Sequence, residues 1–156
     1  MADGPYELSV ERRIAAPVAT VWSCMIDRFE DWFCPSPWRA EARDIQWRAG
    51  GSSLVVMHGP NGEEMLNDGI VLAFEPERRF VFSDAFRGDW MPAGPFMVGL
   101  FEVEADGKGT LYRATARHWS AEAMEQHRAM GFDAGWGAAA DQLKGLAEGQ
   151  CFHPDR

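Results

Sequence analysis

Four histidines (His58, His118, His127 and His153), three cysteines (Cys24, Cys34 and Cys151) and scattered carboxylates are the side chains that could hold a metal or move a proton. A zinc site draws its ligands as pairs of cysteines or histidines separated by only a few residues. No pair here has that spacing, and neither Cys24 nor Cys34 has a histidine beside it, so no metal site is expected. The chain also lacks a G-x-S-x-G turn for a nucleophilic serine, a G-x-G-x-x-G run and a phosphate-cradling P-loop. Proton chemistry is left with Asp84, Tyr112 and His118. In TLYRATARHW (110–119) Arg113 and Arg117 belong in solvent, which puts Tyr112, Ala114, Ala116 and His118 on the opposite, inner face. There Tyr112 or His118, with Asp84, could polarise a carbonyl or move a proton. Equally, His118 could be a surface histidine at a strand end and Asp84 a turn cap. No catalytic set is assigned.

The elements that would position these groups follow from periodicity. YELSVERRI (6–14) alternates, with Tyr6, Leu8, Val10 and Ile14 on one face, and predicts a half-buried strand. Pro17 opens a helix through VATVWSCM, and DRFEDWFCPSPW (27–38) predicts a second short helix broken by Pro35 and Pro37. Short strands follow: RDIQW, SSLVVMH, EEMLNDGIVLAFE, RRFVFSD, FMVGLFEVE and TLYRATARHW. Turn signals or a Gly/Pro-rich loop (88–95) separate them, and without crossover helices they pair antiparallel. Ser120 is a helix N-cap, and one helix is predicted from there to about residue 147, roughly 40 Å long. The fold class is therefore α+β, with a curved antiparallel sheet covered by a long C-terminal helix.

That helix carries Gly131, Gly135 and Gly137, each costing about 1 kcal/mol relative to alanine. The i,i+4 pair Gly131 and Gly135, beside Phe132 and Trp136, predicts a face docked closely on the sheet. The alternative is that the glycines merely interrupt the helix.

A net charge of −9 with no basic cluster excludes a nucleic-acid or anionic-membrane surface. Hydrophobic content of 46% with 25% charged residues is that of a globular protein. No stretch approaches the roughly 20 apolar residues of a membrane span, and MADGPYELSV does not read as a signal peptide. The three cysteines are expected as thiols in a reducing cytoplasm. Without a repeat or linker, residues 1–156 are expected to form one domain, with a core over about 6–148.

The opening RRIAAPVATVW, WFCPSPW (32–38), RAGG, NGEEMLNDGIVLAFEPERRFVFS (61–83) and the terminal HRAMGFDAGWGAAADQL together resemble the START-like (SRPBCC, helix-grip) superfamily. Within it the chain is similar to the AHSA1-like branch, named after the activator of a heat-shock chaperone ATPase. The resemblance spans about residues 7–147. It implies a cavity between sheet and C-terminal helix that takes lipids, polyketides, hormones or other hydrophobic molecules. A minority of members are cyclases, hydrolases or dehydratases. No cofactor is implied, and a homodimer or a chaperone partner is left open.

Small residues facing one another locate the expected cavity. Ala114 and Ala116 stand where a filled core would prefer leucine or valine, Gly99 shares a face with Met97 and Phe101, and the helix glycines thin the opposite wall. The expected lining is Met57, Phe82, Phe101, Tyr112, Ala116, His118, Phe132 and Trp136. The resemblance implies that the segment after the first helix, with Trp32, Phe33 and Trp38, borders the mouth of the cavity, around a small hydrophobic or aromatic ligand.

Overall fold

A computed structural model describes residues 6–94 and 96–150. Cys151 and His153 lie outside the described residues, as do the ends of the expected domain. The first strand, β1 (Tyr6–Ile14), leads into helices α1 (Val18–Asp27) and α2 (Phe29–Trp32). Strands β2 (Arg39–Ile45), β3 (Ser52–His58), β4 (Glu64–Glu75) and β5 (Arg79–Ser83) follow. A two-stranded hairpin, β6 (Phe86–Arg87) and β7 (Met91–Pro92), precedes β8 (Met97–Asp106) and β9 (Gly109–His118). Helices α3 (Ala121–Ala129) and α4 (Phe132–Gly145) end the fold, with a π-helical turn over Leu146–Gln150.

Seven strands form one antiparallel sheet in the order β1-β9-β8-β5-β4-β3-β2. Its inner face carries Val55, Phe80, Phe101, Tyr112 and Ala114, which pack with Trp22, Met25 and Trp32 and with Ala140 and Leu143 of α4. On the outer face charges pair across strands, as Glu7 does with Arg117 at 2.9 Å. The period-two pattern of β1 is borne out, and Arg12 joins its inner face. Its guanidinium reaches α4 and bonds Asp141 at 2.7 Å.

The α+β helix-grip architecture holds, but the expected single helix over 120–147 is two helices. Ser120 caps α3 by accepting from Ala123 N at 3.1 Å. The helix stops at Met130, and Gly131 takes a left-handed conformation (φ +95) that separates α3 from α4. The docked glycine pair is not found either. Gly131 is exposed, and β-carbons built on Gly131 and Gly135 meet no atom within 4 Å. Gly137 is the glycine of close approach, since a β-carbon there would lie 3.0 Å from Arg12 Nη2. The short second helix ends at Trp32, before Pro35 and Pro37, the prolines expected to break it.

Candidate functional site

Between the sheet and helices α3 and α4 lies a cavity of about 310 Å³. The sheet contributes Met57, Met65, Asn67, Met97, Phe101, Tyr112 and Ala114. The helices contribute His127, Phe132, Gly135, Trp136 and Ala139, with Met130 and Gly131 at the break. Trp32, Phe33 and Pro35 close one side, and Phe96 another. The wall thus holds seven benzenoid or indole rings. Trp136 stacks on Phe101 at 5.4 Å between centroids, and Phe132 meets Trp136 at 4.6 Å. Met65 and Met130 are 51% and 64% exposed, so the cavity opens between the β3–β4 hairpin and the α3–α4 break.

Several side chains hold this wall in place. Gln142 on α4 donates from Nε2 to the carbonyls of Trp32 and Cys34, both at 3.0 Å, and its Oε1 accepts from Ser36 N at 2.8 Å. That clasp fixes the segment bearing Trp32, Phe33 and Pro35 against the helix. Asp84 Oδ1 accepts from the amides of Phe96 (2.7 Å) and Met97 (3.2 Å), which anchors Phe96 beside the His127 ring at 4.9 Å. Asp84 is therefore a backbone cap.

Of the residues expected to line the cavity, Met57, Phe101, Tyr112, Phe132 and Trp136 do so. Ala116 does not: it is sealed in a second cluster with Leu8 and Phe132, and Ala114 takes the place at the wall. Phe82 packs on Phe33, Phe80 and Phe101 and faces a separate space of about 40 Å³ with Ser53, Ser83 and Asp84. The volume missing at Gly99 is filled, since its built β-carbon lies 3.2 Å from Phe101 and 3.5 Å from Phe82. Among the mouth residues, Trp32 is fully buried and forms a deep wall, donating its indole N–H to Met25 O at 3.2 Å. Phe33 is a half-buried wall residue, whereas Trp38 packs on the flank of the core outside the cavity. Phe96, Asn67 and His127 are wall residues that sequence patterns did not mark.

His118 is buried behind the wall. Its Nδ1 lies 2.9 Å from Tyr6 O and its Nε2 lies 2.9 Å from His127 Nδ1. Burial, and then the neighbouring His118, lower the pKa of His127 to about 4. The Tyr112 hydroxyl has no hydrogen-bond partner among the described residues, and burial raises its pKa. His58 instead bonds Glu41 at 2.8 Å, outside the cavity wall. Cys24 and Cys34 are both buried, and burial pushes the Cys34 thiol up.

A curved antiparallel sheet gripping C-terminal helices across an aromatic cavity defines a helix-grip protein of the START-like class. The chain belongs to the family described as Activator of Hsp90 ATPase homolog 1-like protein, whose model matches residues 15–148. The crystal structure of a Nitrosomonas europaea protein is similar at 32% identity, covering 93% of this chain and 96% of that one, with a TM-score of 0.85. A Mycobacterium smegmatis protein is similar at 26% identity over 91% and 90%, with a TM-score of 0.76. An AHSA1 protein from Silicibacter pomeroyi shares the fold at 18% identity over 89% and 95%, with a TM-score of 0.66. Among curated proteins none matches. Among the described residues no helix is long and apolar enough to cross a membrane.

Proposed function

We propose that this chain binds a small hydrophobic or aromatic molecule in the cavity between sheet and helices, without a cofactor, in the cytoplasm. The observation that carries the reading is an open-mouthed cavity of about 310 Å³ walled by seven benzenoid or indole rings. Its size is at the lower end of small-molecule pockets, about 300–1,000 Å³, and suits a ligand of one or two fused rings. Ring walls favour a flat partner, because offset stacked and edge-on contacts add about 0.5–1.5 kcal/mol per ring pair beyond the buried area. Wall methionines, Met57, Met65, Met97 and Met130, can adapt to its outline. The family's description names an activator of a chaperone ATPase, whereas the reading here rests on the cavity.

Binding of an apolar fluorescent probe tests the reading, with native mass spectrometry of freshly purified protein to reveal any co-purified molecule. The wild type should bind the probe, and Gly135→Leu, which projects a side chain into the cavity, should lose it while keeping its circular dichroism spectrum. A wild type that binds no apolar probe overturns the reading, as does a folded Gly135→Leu that binds equally well.

A further inference from the structure

We propose that the cavity selects a ligand carrying a hydrogen-bond donor, a small aromatic alcohol of the phenol or enol kind, which donates to Nε2 of His127. The inference rests on the cavity being a ligand site, and it concerns which chemistry that site takes.

The polarity of His127 is set from outside the cavity. A backbone carbonyl can only accept, so the 2.9 Å contact between His118 Nδ1 and Tyr6 O requires the proton on Nδ1. When His118 carries that one proton only, its Nε2 has a lone pair, and in the 2.9 Å contact with His127 Nδ1 the latter then donates. In a neutral His127 the remaining nitrogen, Nε2, is consequently a bare acceptor. Tyr6 and His118 are opposite each other in the β1–β9 register, so the sheet itself fixes the start of this chain of bonds. Phe96, Phe132 and Trp136 pack around the His127 ring at 4.9, 5.1 and 5.8 Å and hold its orientation.

Nε2 has no hydrogen-bond partner among the described residues. Nor is it sealed: the buried side-chain polar atoms left without a partner among those residues are Glu75 Oε1 and Arg79 Nε. The ring borders the cavity, and the proposal is that this lone pair is offered there. Burial keeps His127 neutral at physiological pH, which preserves the acceptor.

Two ligand classes fit poorly. A carboxylate has no proton to give at neutral pH, and no lysine or arginine lines the described wall to balance its charge. At Nε2 an ether presents a lone pair to a lone pair, and it would have to turn instead to donors elsewhere on the wall, the Tyr112 hydroxyl and the Asn67 amide. A neutral aromatic hydroxyl satisfies both the rings and the nitrogen, and His118 serves as a positioning residue.

Calorimetric titration with naphthol, methoxynaphthalene and naphthoate tests this. Naphthol should bind the wild type roughly tenfold more tightly than its methyl ether, a typical increment for one hydrogen bond made in an apolar site, with naphthoate weakest. His127→Phe keeps a ring in the wall and should bring naphthol and methoxynaphthalene to within about twofold of each other. Imidazole-nitrogen NMR of the wild type provides a readout that needs no variant. His127 Nε2 should resonate as an unprotonated nitrogen and shift on adding naphthol but not methoxynaphthalene. Equal affinities in the wild type, a preference that survives in His127→Phe, or a protonated Nε2 in the free protein overturns the inference while leaving the cavity a binding site. Failure of all three compounds to bind overturns the cavity reading and this inference together.

Discussion

At Gly135 a β-carbon would enter open space, and the backbone there is ordinary helix. Gly135→Ala should therefore raise stability by about 0.5–1 kcal/mol through helix propensity and a less flexible unfolded chain, read as a higher urea midpoint. Gly131 also has open space around it, yet its φ of +95 is one that a β-carbon opposes. Gly131→Ala should lower stability by about 1–2 kcal/mol in the same assay. The two substitutions are identical in composition and opposite in sign because backbone angle, and not room, decides. Tyr112 makes a third case. Its hydroxyl has no partner among the described residues, so Tyr112→Phe should leave the urea midpoint unchanged or raise it. A loss above about 1 kcal/mol would show that this oxygen makes a hydrogen bond in the folded protein.

Among the elements, those marked by local chemistry were legible from the sequence. SSLVVMH coincides with β3, and the Ser120 cap starts α3 where its side chain meets the Ala123 amide. Ser120→Ala should cost about 1 kcal/mol, measurable by thermal or urea unfolding. The β6–β7 hairpin escaped notice because its strands are two residues each, too short for any period to show. The site was legible only where wall residues follow strand alternation, as Phe101 and Tyr112 do. Ala114 and Ala116 share one face in the sequence, yet Phe132 covers the second and leaves the first at the cavity, a distinction made by where α4 crosses the sheet. His127 was named among the histidines but not placed at the cavity, for a related reason. Its link to His118 joins a helix to the end of a strand across nine positions, a spacing that belongs to neither period.

The whole molecule's response to acid follows from the same buried pair. His127 has a folded-state pKa of about 4, against an ordinary value of 6.5, because burial and the adjacent His118 oppose its charge. Between those values the unfolded chain takes up a proton that the folded chain refuses, so stability falls as pH falls. The contribution is complete above about pH 6.5 and is lost progressively toward about pH 4, where the folded protein is protonated too. Its full size is at most about 3 kcal/mol, and less where water reaches the ring. Carboxylates held low act in a more acidic window. Glu41 sits at about 2 through bonds from Arg43 and His58, and Glu63 and Glu148 are lowered by backbone amides. Their stabilisation is present above about pH 4.5 and disappears below it. Urea unfolding at intervals from pH 7 to pH 5 isolates the histidine. The wild type should lose stability steadily across that range, and His127→Phe should lose distinctly less. Parallel slopes for the two proteins would mean that His127 titrates as an ordinary histidine, and that the acceptor it presents to the cavity is not held neutral by the fold.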